Sequence, residues 1–250
     1  VFTVNNLHKA IEIKDRIAKG QVGKAVIVGG GAIGIEMAEA FKDLWGVDAT
    51  IVEMKSHLLP SLVDWEMADI LARHLRDSGL EVLLEEAAQE ILSDGEGRVG
   101  GVRTDKREIA GDMVIIAVGV RPRSILAQEA GLHVSRGGAI VVNERMQTSD
   151  PDIYAAGDCV EITHLVSGQK FFAPLGSLAN KQGRVAGDNI CGVPSVFKGG
   201  VGSFIMKGFD MSIGAAGLTL QGAREAGFDA DISLTSPIDR AHFYPTQAVT

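Results

Sequence analysis

The sequence predicts an α/β fold built on a parallel sheet, and three observations carry that prediction. Apolar runs of strand length alternate with segments of helical periodicity over residues 24–79. A glycine cluster, Gly29 to Gly31, separates the first run from the first of those helical segments. Short strands divided by turn residues then follow from Leu80. A strand–helix–strand–helix order requires crossover connections, so the first strands must pair in parallel and wind right-handed.

Taken in order, Leu7, Ala10, Ile11, Ile13, Ile17 and Ala18 recur among charges at helical spacing, and Gly20 ends that amphipathic helix. Lys24 introduces the strand AVIV. The glycines break it, and IGIEMAEAFKDLW continues as a helix as far as Gly46. ATIV at 49–52 is a second buried strand ending at Glu53, and LPSLVDWEMADILARHLRDSG reads as a further helix stopped by Gly79. LEVLLE, then AQEILSD and RVGGVRT around the turn at 94–97, then MVIIAVG, predict a β-meander that returns to a core strand. Beyond Gly119 come a helical SILAQEAG, the strand AIVVNE, an apolar strand leading into Gly157 and Asp158, and a helix over 177–191. The glycine-rich tail from Pro194 holds the strands SFIMKGF and MSIGAAGL, and AHFYPTQAVT brings no closing element.

Composition narrows the functional classes. The chain has 250 residues and is 46% hydrophobic, enough for a proper core. Its net charge of -8 is spread over interleaved acids and bases, which offers no footprint for nucleic acid or an anionic membrane. The longest apolar runs, such as Val114 to Val120, are strand-sized, so no membrane span is expected. Cys159 and Cys191 are the only cysteines, with no CxxC pair and no surrounding ligand cluster. They predict neither a disulfide framework nor a metal site, and a reducing, cytoplasmic setting is the natural expectation. VFTVNNLHKA lacks the features of a signal peptide and does not start with Met, which points to an N-terminus lying further upstream.

The chemistry concentrates in Gly29-x-Gly31-x-x-Gly34, directly after a strand and directly opening a helix. In this Rossmann-type context Gly29 permits the tight turn, Gly31 lets backbone approach a diphosphate, and Gly34 brings helix and strand together. The amides and dipole of a helix beginning near Ala32 and Ile33 then attract phosphate. Glu53 stands 19 residues after Gly34, close to the spacing at which an acid meets the adenosine ribose. Its charge would repel a 2′-phosphate, which favours NAD(H) and leaves NADPH less favoured, although Lys55 and His57 just beyond could offset part of that repulsion. FAD uses the same fingerprint, and spacing does not separate the two.

Several segments in order resemble the pyridine nucleotide-disulfide oxidoreductases, in particular the branch of NADH oxidases, NADH peroxidases and coenzyme A disulfide reductases. They are VFTV with its helix, VIVGGGAIGIEMAEAF, IIAVGVRPR, IYAAGDCVE, and the pair APLGSLANKQGRVAGDNI and AHFYPTQA. The resemblance implies an NAD(H)-binding domain over 1–119, the second half of an FAD-binding domain over 120–193, and the start of an α+β dimerisation domain over 194–250. It also implies a first FAD half with the redox-active cysteine preceding this segment, an interface domain running on past Thr250, and a homodimer when full length. Alone, the chain would then not turn over. The implied activity passes hydride from NAD(P)H to FAD and on to a disulfide, persulfide, peroxide or oxygen. Two other readings are a nucleotide-binding module without activity of its own and a ferredoxin or rubredoxin reductase component that uses no cysteine.

Carried over by resemblance, Gly29, Gly31, Gly34 and Glu53 hold NAD(H), and Gly119 lies beside the nicotinamide. Asp158 reaches the ribityl or pyrophosphate part of FAD with Gly157 clearing space, and Leu175 to Ala179 bring a helix N-terminus to the flavin. Glu36 matches an acidic position that faces the flavin, and a solvated helix charge accounts for it equally well. Ala32 stands where many relatives have a tyrosine covering the flavin, so the side chain that forms that gate is missing at this position. Cys159 and Cys191 read as ordinary packing residues, and His242 as a packed interface residue with a secondary claim on a partner's flavin site.

Overall fold

The computed structural model describes residues 1–237; AHFYPTQA, and with it His242, lies outside the described residues. The elements are α1 (Leu7–Ala18), β1 (Lys24–Val28), α2 (Ala32–Glu39) with a π-helical extension (Ala40–Leu44), β2 (Asp48–Val52), α3 (Trp65–Asp77) and β3 (Glu81–Leu83). A meander follows, β4 (Ala88–Ser93), β5 (Val99–Thr104) and β6 (Glu108–Ala110), and β7 (Met113–Ile116) returns to the first sheet. Then come α4 (Ile125–Glu129), β8 (Ile140–Val141), β9 (Val160–Thr163), β10 (Lys170–Phe171), α5 (Gly176–Ile190), β11 (Phe204–Gly208), β12 (Met211–Ala215) and α6 (Leu220–Glu225).

The expected parallel sheet is present, in the order β3-β2-β1-β7. Val26 pairs with Thr50 on one side and with Val114 on the other, and Ile51 pairs with Val82, all in parallel. The chain therefore moves outward from β1 to β3 and then crosses to the other side of β1 through the meander. That reversal opens a crevice at the carboxyl ends of β1 and β7, the place where open α/β sheets bind ligands. Phe2 extends the β7 edge: its amide donates to Val114 O and its carbonyl accepts from Ile116 N, each at 2.8 Å.

Strand alternation explains how both sheet faces are buried. Ala25, Ile27, Ala49, Ile51, Met113 and Ile115 enter one core with residues of α2 and α3. Val26, Val52 and Val114 point the other way and meet Val102 and Ile109 of the meander. A separate core joins Ile140, Val160 and Ile162 to Val185 and Ala186 of α5. There β8 and β9 pair in parallel and β9 and β10 antiparallel. The β11–β12 hairpin packs back on the first core, with a Cβ position at Gly208 3.4 Å from Leu75 and 3.5 Å from Leu71.

Three sequence expectations require correction. The helix expected from Leu59 begins at Trp65. Leu59 precedes Pro60, which disfavours the right-handed helical region, and it adopts φ +51°. The residues up to Asp64 form a turn that buries Leu58, Leu59 and Val63. No strand leads into Gly157: Tyr154 makes one isolated bridge with Gln147, and the strand, β9, follows Asp158 instead. The cause is local turn chemistry, since Thr148 N bonds Ile153 O and Thr148 Oγ1 bonds Asp150 O. The helix read as ending at Gly46 leaves the α pattern at Ala40 for a π-helical turn. Among the described residues, no helix is long and apolar enough to cross a membrane, and no acid, histidine and cysteine cluster could hold a metal ion.

Candidate dinucleotide-binding site

The loop between β1 and α2 occupies the crevice at the switch point. Gly29 N donates to Val52 O at 2.8 Å and Ala117 N to Val28 O at 2.8 Å, so the ends of β2, β1 and β7 stay in register around it. Gly29 has φ +112°, and a Cβ there would stand 2.4 Å from Ala117 O. Gly34 is buried in α2, and its Cβ would stand 2.0 Å from Gly29 O. Both positions therefore require glycine for backbone packing. Gly31 differs: its φ is -78°, and nothing lies within 4 Å of the Cβ position. The backbone at Gly31 is bare on its outer side.

Helix α2 opens there without a side-chain cap. Ile35 N is bonded to Gly31 O at 3.0 Å, while the amides before it, at Ala32 and Ile33, belong to the turn that an α-helix leaves without intrahelical acceptors. Free amides and a positive helix end together suit a diphosphate.

Glu53 lies against this loop, 7% exposed. Its Oε2 accepts from Gly30 N at 2.7 Å and its Oε1 from Lys55 N at 2.8 Å. A carboxylate offers about four lone-pair sites, so two remain for the hydroxyls of a ribose. Lys55 is exposed. His57 Nδ1 is 2.9 Å from Leu58 O. A carbonyl oxygen only accepts, so this nitrogen is the donor and is engaged with the backbone. Glu36 is exposed on α2, and no hydrogen bond to its carboxylate is found among the described residues.

Gly30, Leu58 and Leu59 were missed by the sequence reading. Leu59 N donates to Gly30 O at 2.9 Å, and a Cβ on Gly30 would stand 2.6 Å from Leu58 Cδ2 and 3.1 Å from Glu53 Cβ. The glycine in the middle of the GGG triplet was the available signal for Gly30. Nothing local marks the two leucines. Gly119, three residues beyond β7, has φ +99° and open space around its Cβ position, between the exposed Val118 and Val120.

In the second region the structure brings Gly157, Asp158 and Ala179 together. Gly157 has φ +92°, and its Cβ position is 3.7 Å from Ala179 Cβ. Gly157 N donates to Oε1 of the buried Gln182 at 2.7 Å, a pairing that the sequence reading also missed. Asp158 is exposed. Leu175 caps α5 in an extended conformation with no side-chain bond, so the first amides of this helix are free of capping groups as well.

Cys159 fits its expected packing role. Burial, reinforced by the charge of Asp158, pushes its thiol above the usual range. Less thiolate at neutral pH means slow alkylation, so Cys191, which is exposed, is expected to react with iodoacetamide first. Mass spectrometry of the partly labelled chain checks the order, and faster labelling of Cys159 would contradict it.

A glycine-braced helix N-terminus at the switch point of a parallel sheet, with an acid at the end of the next strand, is the arrangement that the Rossmann class of dinucleotide-binding folds shares. Residues 2–175 match the family model for pyridine nucleotide-disulphide oxidoreductase, and the chain belongs to that family. It is 39% identical over 245 residues to an NADH oxidase of Methanocaldococcus jannaschii, covering 98% of this chain and 54% of the relative. Among solved structures, a NAD-dependent persulfide reductase from A. fulgidus shares 42% identity at a TM-score of 0.93, covering 98% of this chain and 45% of that one. A FAD-dependent pyridine nucleotide-disulphide oxidoreductase from Desulfovibrio vulgaris shares 44% identity at a TM-score of 0.85, covering 92% and 57%. The chain thus spans about half the length of the relatives it matches.

Proposed function

We propose that this chain binds NAD(H) at the Gly29–Gly34 loop and forms part of a flavoenzyme that passes hydride from NADH to FAD and on to a disulfide, persulfide, peroxide or oxygen. The observation that carries the reading is the open backbone at Gly31 beside a carboxylate with two free acceptor sites. In the bound state NADH supplies a hydride and FAD accepts it as a two-electron carrier.

The protein's own part is placement. Amides of Ala32 and Ile33 meet the diphosphate, Gly34 holds α2 against the strand, and Glu53 accepts from the adenosine ribose. Gly119 leaves room for the nicotinamide at the end of β7. Gly157, Asp158 and the α5 terminus from Leu175 to Ala179 hold FAD, and Glu36 supports the flavin from α2. In this reading residues 1–119 are the NAD(H) domain, 120–193 half of the FAD domain and 194–250 the start of a dimerisation domain, in a cytoplasmic homodimer. The named activities of the similar proteins, NADH oxidase and NAD-dependent persulfide reductase, support oxygen or a persulfide as acceptor.

Calorimetric titration of the chain with NADH and NADPH tests the proposal. Saturable binding, tighter for NADH because Glu53 repels a 2′-phosphate, is the expected result. Absence of NADH binding would overturn it.

A further inference from the structure

We propose that Glu53 is a positioning residue for the phosphate-binding loop as well as a ribose ligand: its carboxylate clamps the loop at Gly30 before any nucleotide arrives. The inference rests on reading the Gly29–Gly34 loop as the NADH site, and deepens that reading. Three successive glycines make this the most conformationally free stretch of the crevice, since glycine loses more freedom on ordering than any other residue. A loop that had to be ordered by its ligand would bind more weakly by that cost.

The structure supplies the order beforehand. Glu53 Oε2 takes the Gly30 amide in a buried hydrogen bond of 2.7 Å, and Oε1 takes the Lys55 amide at 2.8 Å. Bonds to an ionised acceptor are roughly twice as strong as neutral ones. The main chain of Glu53 is itself fixed, with its amide on Leu83 O at 2.8 Å and its carbonyl on Glu86 N at 3.0 Å. From the other side, Leu59 N holds Gly30 O and Leu58 Cδ2 stands against the missing Cβ of Gly30. Gly30 is gripped at both its amide and its carbonyl, while Gly31 next to it stays open. The acid that selects the ribose is thus the same group that shapes the phosphate site. A residue at 53 better suited to a 2′-phosphate would disorder the loop for both nucleotides.

Two variants separate the roles. Glu53→Gln keeps the length and can still bond a ribose, but turns an NH2 group toward one of the two amide donors. Glu53→Asp keeps the charge and falls one methylene short of Gly30. Hydrogen exchange of the Gly30 and Lys55 amides would be followed by NMR in the cofactor-free chain, with NADH and NADPH affinities measured alongside. The expected result is slow exchange of both amides in the wild type and loss of protection at one or both in each variant. NADH should weaken by about tenfold or more in each variant, as expected for a lost bond to a charged group, and NADPH should weaken with it in Glu53→Asp, which keeps the charge.

Fast exchange of Gly30 in the wild type would overturn the clamp without need of a variant. So would a Glu53→Gln protein that retains both protections, or one that binds NADPH more tightly with NADH little changed, which would leave Glu53 as a ribose ligand alone. A wild-type chain with protected amides that fails to bind NADH would instead overturn the nucleotide reading.

Discussion

Gly34→Ala is expected to destabilise the chain by about 3 kcal/mol and to remove NADH binding with it. The added Cβ would stand 2.0 Å from Gly29 O, a backbone atom, and 3.4 Å from Ile27 Cγ2. No side-chain rotation relieves a contact with backbone, so α2 must lift from β1 or the loop must unwind. Either movement opens the core that Ile27, Ile35 and Phe41 share. Urea unfolding followed by circular dichroism checks the stability change. A variant within about 0.5 kcal/mol of the parent would show that the helix and strand are not held this closely.

Gly31→Ala is the complementary case and the second large effect. Nothing surrounds its Cβ position, and its φ of -78° suits any residue. Its stability should fall by no more than about 1 kcal/mol, the cost of alanine at a helix N-cap. NADH affinity should nevertheless drop about tenfold or more, because a methyl group would hold the diphosphate off the amides of Ala32 and Ile33. The two glycines lie three residues apart, yet one is required by the fold and the other by the ligand. Calorimetric titration together with unfolding curves distinguishes them, and a Gly31→Ala protein that binds NADH as the parent does would place the diphosphate elsewhere.

How far the sequence shows these features depends on how local their causes are. Gly29, Gly34 and Glu53 were legible because strand, turn and helix follow one another directly, so a spacing in sequence becomes a position in space. The clamp was not legible. It joins Gly30 to Glu53, 23 residues away, and to a turn at Leu58 and Leu59, of which helical periodicity had absorbed Leu59 into α3. Gln182 escaped notice for the same reason, since it reaches Gly157 across 25 residues and a polar residue on a helix gives no sign of being buried. The strand expected before Gly157 failed through turn chemistry around Thr148 and Asp150, which outweighed the apolar run IYAA. The meander was legible as a class, but LEVLLE, read as part of it, supplies β3 at the edge of the parallel sheet instead, and its actual third strand, Glu108–Ala110, was too short for periodicity to reveal.

The segment from β11 to the start of α6 adds a constraint on the site that sequence alone did not indicate. Asp64, which precedes α3, gives its side chain no capping role there and instead accepts from Leu220 N at 2.7 Å. The turn that presses Leu58 against Gly30 thus ends at a residue tied to the tail of the chain. Packing of Met206 into the first core acts in the same direction.

The most direct test of the account follows the amide resonances of the chain as NADH is added. The prediction is that Gly31, Ala32 and Ile33 shift most, together with Lys55 beside the Glu53 carboxylate, and that the shifts saturate. Shifts confined to other parts of the chain, or none at saturating NADH, would contradict the assignment of this loop as the nucleotide site.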